Sequence, residues 1–186
     1  MFEKINFKLK DDIDFERLKG SIVTSYGREP RPRLTYYRLG DPEYFRSLLP
    51  DELPWGNIPP LQVQVAEIVD SVGGHLLPHI DHNISACANY YVTTGNSKTH
   101  FYNLKEGGGG FVYPGRQSAN IFTLDQVDKV TDFTAADGDM FLLDVSSIHS
   151  VETPQPGIRR FITWQWVGVP FEEVRKSLKQ NQTSTV

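Results

Sequence analysis

Residues 75–94, HLLPHIDHNISACANYYVTT, decide how this chain is read. They read as two extended segments, near 75–82 and 85–94, and in a strand alternate side chains face the same way. His79 and Asp81 therefore project together, with His75 and Leu77 on their face and Pro78, Ile80 and His82 on the other. An imidazole and a carboxylate about 7 Å apart at the backbone make adjacent ligands for one metal ion. A third ligand from another strand would complete one face of an octahedron.

Further along, the same short-strand pattern continues near 98–104, 110–114, 119–124, 128–135, 138–145, 148–152 and 158–168. Turn signals separate the segments: Thr94-Gly95-Asn96, the Gly107–Gly110 run, Pro114-Gly115, Ala136–Asp139 and Pro154–Gly157. Many short strands at regular spacing imply a sandwich or jelly roll. The first third reads differently. Ile13, Phe15, Leu18, Ile22 and Val23 recur at helical spacing, and 61–72 (LQVQVAEIVDSV) reads as a longer helix stopped by Gly73-Gly74. Asp41-Pro42-Glu43 opens a short helix, with aspartate as N-cap and proline at the first helical position. A terminal helix follows from Val169 to Gln180. The expectation is one domain over 1–186. Residues 1–74 form a mostly helical support, 75–168 a β core, and 169–186 a helix and tail.

At 186 residues the chain is long enough for a substantial core. Its 19 basic and 23 acidic residues are scattered and sum to −4, which argues against nucleic acid as the partner. The apolar runs are too short to span a membrane. No secretory leader is read at the N-terminus, so the expected compartment is the cytoplasm. The single cysteine excludes a disulfide framework and Cys-based zinc sites. Cys87 lies in an apolar stretch and reads as a small buried hydrophobe.

The candidate third ligand is His149, which follows an apolar strand in DMFLLDVSSIHSVE (139–152). Two histidines and one carboxylate on one face, with positions left open, form the facial triad of non-haem Fe(II) oxygenases. Ten or eleven residues later, Arg159 or Arg160 offers a guanidinium fork for a carboxylate that is not itself a ligand.

HID (79–81), IHSV (148–151) and RRFITWQW (159–166) together resemble the Fe(II)/2-oxoglutarate-dependent oxygenases, in particular the prolyl-hydroxylase-like branch. The resemblance spans roughly residues 75–168. It implies a double-stranded β-helix packed on N-terminal helices, with His79, Asp81 and His149 as Fe(II) ligands and catalytic centre. It also implies that 2-oxoglutarate chelates the iron while its far carboxylate pairs with an arginine. The family's spacing fits from Arg159, and alternation agrees: Arg159, Phe161, Thr163 and Gln165 share one strand face, Ile162, Trp164 and Trp166 the other. Thr163 is then a second donor to that carboxylate. Asn89 and Tyr91 share a face of the strand after the His-x-Asp segment, and Tyr90-Tyr91-Val92 resembles a family segment whose second tyrosine bonds the same group. His100 reads as a sheet histidine, His75 as a possible lining of the cofactor pocket.

The implied reaction consumes O2 and 2-oxoglutarate, releases succinate and CO2, and hydroxylates a peptide, an amino acid or another small molecule. Two other readings stand beside it: a cupin-type metalloenzyme that does not use 2-oxoglutarate, and a β-sandwich binding module without catalysis. The Arg-, Tyr- and Pro-rich stretch 26–60 is expected to border the site entrance.

Overall fold

A computed structural model describes residues 1–26, 32–81, 83–110, 119–153 and 155–183. In chain order the elements are β1 (Phe2–Ile5), α1 (Phe15–Leu18), β2 (Lys19–Tyr26), β3 (Arg33–Leu39), α2 (Pro42–Leu48), β4 (Gln62–Asp70), β5 (Gly74–His75), β6 (His79–Asp81), β7 (Ala86–Thr93), β8 (Lys98–Leu104), β9 (Ala119–Ile121), β10 (Val127–Thr134), β11 (Met140–Leu143), β12 (Ile148–Thr153), β13 (Gly157–Trp166) and α3 (Phe171–Thr183). One sheet runs β1-β11-β7-β13-β4-β3-β2, the other β10-β8-β12-β6-β9, with β5 also paired to β12. The pairings are antiparallel.

The chain passes repeatedly from sheet to sheet, as from β4 to β6, β6 to β7 and β7 to β8. That winding gives two facing four-strand sets, β11-β7-β13-β4 and β10-β8-β12-β6. The protein is a mainly β jelly roll of the double-stranded β-helix type. Between the sheets lie Tyr91, Phe101, Phe133, Phe141 and Phe161. The back of the larger sheet is covered too. There Trp164 and Trp166 pack with Phe7, Phe45 and Trp55, under α2 and the α3 residues Phe171, Val174 and Leu178. Alternation along β13 puts one set of side chains into each layer. Among the described residues no helix is long and apolar enough to cross a membrane.

The first 74 residues are not the helical support read from their sequence. Helix persists for only four residues in α1, and the chain then extends as β2. Gly20 makes the change possible: a Cβ there would stand 2.8 Å from the Arg38 carbonyl oxygen, so only glycine lets β2 close on the end of β3. Ile22 and Val23, which complete the helical period, are exposed on this edge strand. Residues 62–70 form β4, a strand buried on both faces, with Val65 in the outer layer and Ala66 and Ile68 between the sheets. With apolar residues on both of its faces, Leu61, Val65, Ile68 and Val72 fall at helical spacing, which masks the short alternation Gln62-Val63-Gln64-Val65. α2 forms where expected, with Asp41 accepting from the Tyr44 N–H at 2.9 Å. The segment 75–82 is interrupted at Leu76–Pro78, and 119–124 shortens to β9 before a 3-10 turn at Leu124–Gln126. The strand expected at 110–114 falls almost wholly outside the described residues, as does His82.

Candidate metal centre

β6 is three residues long and is held in place on both sides. His79 pairs with His149 of β12, and β6 also pairs with β9. Ile80 turns away into a cluster with Tyr102, Phe122, Val127 and Ile148. His79 and Asp81 therefore turn to the inner face, and cross-strand pairing brings His149 to the same place. The His79 Nε2 lies 3.5 Å from Asp81 Oδ1, and His149 Nε2 lies 4.0 Å from the same oxygen. With metal–ligand bonds of about 2.1 Å, two ligands of one ion stand at most about 4.2 Å apart, so both separations suit a shared ion. One donor atom from each residue lies within 4.8 Å of the others.

Each imidazole is oriented in the same way. The His79 Nδ1 is 2.8 Å from the Leu77 carbonyl, and His149 Nδ1 is 3.0 Å from that of Ser147. When Nδ1–H donates to these carbonyls, both Nε2 lone pairs are free and face Asp81. Burial pulls the His79 pKa down, but the hydrogen bond and charge of Asp81 outweigh it and leave the imidazole above its ordinary value. Burial, reinforced by His79, pushes His149 down to about 4. Burial also works against ionisation of Asp81, yet the two imidazoles hold its carboxyl below the usual value. An ionised carboxylate beside neutral imidazole is the donor set a divalent ion needs.

A second polar group lies on the inner faces of the neighbouring strands β7 and β13. Arg159 is 3% exposed and reaches across to the other sheet, where its Nη2 donates to Thr99 Oγ1 at 3.0 Å. Its guanidinium stacks 4.6 Å from the Tyr91 ring centroid. Its Nε and Nη1, the Tyr91 hydroxyl and the Asn89 Oδ1 are buried without hydrogen-bond partners. Arg160 points the other way and pairs with Glu67 and Glu16 at 2.9 and 3.0 Å. A buried guanidinium with two idle donors and no carboxylate partner among the described residues is costly. An anion, such as a carboxylate, would relieve that cost.

Thr163 does not join this group. It lies four residues from Arg159, about 13 Å along an extended strand, and its hydroxyl bonds the Cys87 thiol. Thr99, which nothing in the linear sequence marks, stands beside the guanidinium instead. Cys87 is buried. Burial and then the Asp81 charge push its thiol far up, which makes it inert and places it within the field of Asp81. The inner face of β7 thus runs from Cys87, near Asp81, through Asn89 to Tyr91 at the guanidinium.

His75 is not part of this pocket. Through β5 it pairs with Glu152, whose carboxylate lies 3.6 Å from His75 Nε2 and 2.8 Å from His100 Nε2. His100 alternates with Thr99 and Phe101, which point inward, so the His75–Glu152–His100 group belongs to the outer face of the smaller sheet. Of the stretch 26–60, Tyr26 and Tyr36 lie at the inner core with their rings 6.3 Å apart, edge to face. Burial and then the Asp81 charge raise the Tyr36 hydroxyl well above its ordinary value. Phe45, Leu48 and Trp55 of the same stretch pack behind the larger sheet, away from the site.

Fold and donor set together define a class: a double-stranded β-helix with two histidines and one aspartate converging inside it. No protein-family model matches the sequence, and no curated protein matches it. Solved structures do. HygX from Streptomyces hygroscopicus, solved with nickel and 2-oxoglutarate bound, is 16% identical over 82% of this chain and 74% of its own, with a TM-score of 0.44. YcfD, a ribosomal oxygenase from Escherichia coli, is 13% identical over 83% and 36%, with a TM-score of 0.38. The 7S globulin of Momordica charantia is 9% identical over 81% and 34%, with a TM-score of 0.43. The chain thus spans about a third of the globulin.

Proposed function

We propose that this protein is an Fe(II)- and 2-oxoglutarate-dependent oxygenase that hydroxylates a small-molecule or peptide substrate. The observation that carries the reading is the Arg159 guanidinium. It is buried on the inner surface shared with the His79–Asp81–His149 centre, and two of its donors are unpaired. A metal held by three protein ligands needs no such group; a dicarboxylate that reaches away from the metal does.

In this reading His79, Asp81 and His149 hold the iron through Nε2, a carboxylate oxygen and Nε2. The bound metal and 2-oxoglutarate supply the activation of O2 and the oxidising equivalents, with succinate and CO2 as co-products. The chain supplies position. The Leu77 and Ser147 carbonyls fix which imidazole nitrogen faces the ion. Arg159 pairs with the far carboxylate and the Tyr91 hydroxyl completes that end, while Asn89, opposite Thr163, lies one step nearer Asp81 along β7. Tyr91 and Phe161, both buried, keep water from the carboxylate and strengthen its pairing with Arg159. Asp81 would supply a carboxylate as the third protein ligand, and with that complete donor set the reading is hydroxylation.

The test is calorimetric titration of Ni(II), then of 2-oxoglutarate, followed by succinate measurement with Fe(II), O2 and a panel of peptides and amino acids. One metal per chain, metal-dependent 2-oxoglutarate binding, and loss of that binding in Arg159→Ala with metal uptake retained are expected. Metal uptake without 2-oxoglutarate binding would replace this reading by a cupin-type metalloenzyme. Failure to take up metal would replace it by a binding module.

A further inference from the structure

We infer that Glu152 is a positioning residue for the metal centre: from the outer face of the smaller sheet it staples the segment of His79 and Asp81 to the strand of His149 when His75 is charged. The inference rests on the metal centre above and not on the cosubstrate. Two segments build that centre, 74–81 with β5 and β6, and 148–153, which is β12. Between them run the register pairs His79 with His149, His75 with Glu152 and Gly74 with Thr153, and the Leu76 N–H donates to the Val151 carbonyl at 2.9 Å. Leu77, whose carbonyl orients the His79 imidazole, lies between those anchors. The Glu152 carboxylate is itself held from β8, where the Nε2 of the buried His100 is 2.8 Å from its Oε2. Its Oε1 lies 3.6 Å from His75 Nε2, too far for a hydrogen bond but right for an ion pair once the imidazole is protonated. The other charges on this face come in opposite pairs. Lys98 stands opposite Glu152, and Asp132 lies 3.6 Å from His100 Nδ1 and 2.9 Å from Lys129. Tyr102 is a neutral phenol bonded to Ser150, and Asp70, near Gly74, is engaged with the N–H groups of Val72 and Gly73 and the Thr153 hydroxyl. The imidazoles therefore carry the variable charge. A metal ion and an ion pair that bridge the same two segments each lower the ordering cost of the other, so proton and metal binding reinforce one another.

Glu152→Gln keeps the shape and an acceptor for His100 but removes the charge. Calorimetric Ni(II) titration at two pH values reads the coupling. At pH 8, where an ordinary imidazole is neutral, the variant should bind Ni(II) within about twofold of the wild type. At pH 6 it should bind about three- to fivefold more weakly than the wild type at the same pH, the scale of one ion pair whose side chains are 31% and 35% exposed. His75→Asn should show the same loss at pH 6, and the double variant no further loss. Reciprocally, Zn(II) should move the His75 titration, followed by NMR, upward by about half a pH unit in the wild type and not in Glu152→Gln. Equal losses at pH 8 and pH 6, no loss at either, or a His75 titration indifferent to the metal would each overturn the inference. Absence of Ni(II) binding by the wild type would instead overturn the metal centre on which it rests.

Discussion

Replacing Arg159 by methionine should make the ligand-free protein more stable while abolishing its response to 2-oxoglutarate. The wild-type guanidinium is 3% exposed and holds one hydrogen bond, to Thr99. Burying an ion without a counter-charge costs several kcal/mol. Against this stand a charge-assisted hydrogen bond of about 1.5–3 kcal/mol and a cation–π contact with Tyr91 of about 0.5–2 kcal/mol. Methionine fills a similar volume and leaves Thr99 free to rotate, so a net gain of about 1–3 kcal/mol is expected. Over 186 residues, an unfolding entropy of about 2.1 cal/mol/K per residue turns that gain into a Tm rise of about 3–8 °C. Adding Ni(II) and 2-oxoglutarate at 100 times its Kd should stabilise the wild type by about 2.7 kcal/mol, some 7 °C on the same scale, and should do nothing to the variant beyond the effect of the metal. Differential scanning calorimetry of both proteins, with and without ligand, measures all four states. An Arg159→Met protein that melts at or below the ligand-free wild type would show that the guanidinium is already satisfied, and the case for an anion site would fall.

His149→Ala removes a proposed ligand that is 7% exposed and should lower Ni(II) affinity by at least about 100-fold while the fold persists; calorimetry and circular dichroism separate the two effects. Metal uptake should weaken as pH falls. Asp81 is held below its usual pKa and His149 is pushed down to about 4, so the raised His79 is the group whose proton the metal must displace. Affinity should drop about tenfold per pH unit below that raised pKa, with up to one proton released per ion, readable by titration in buffers of different ionisation enthalpy. Gly20→Val should destabilise the protein by about 1–3 kcal/mol, read by urea unfolding, because its Cβ would meet the Arg38 carbonyl at 2.8 Å.

His79 and Asp81 were legible because strand alternation is a local rule and both lie on a three-residue strand. His149 needed a guess about which strand returns beside them; the register supplies it directly, opposite His79. Alternation also separated Arg159 from Arg160. Thr99 was not legible, because it reaches the guanidinium from the facing sheet, 60 residues earlier. The family resemblance points to Thr163 for that place, but a pattern on a single strand carries no information about the partner sheet, and Thr163 bonds Cys87 instead. The N-terminal strands were missed for a different reason. β4 carries apolar residues on both faces, so Leu61, Val65, Ile68 and Val72 fall at helical spacing and outweigh the short alternation of 62–65. Tyr36 lay in a segment expected to face the entrance, but only its place at the inner core puts it within the charge of Asp81.

The three tryptophans have a practical consequence. Trp55, Trp164 and Trp166 sit together behind the larger sheet, with Trp55 5.4 and 5.3 Å from the other two ring centroids. None faces the space between the sheets. Their emission therefore reports whether the outer layer is assembled and is nearly blind to events at the metal, although Trp164 is the immediate neighbour of Thr163. The close pairs should also couple their electronic transitions and give a strong aromatic couplet in circular dichroism. The molecule thus carries its own optical gauge of folding, physically insulated from its chemistry by the thickness of one β-sheet.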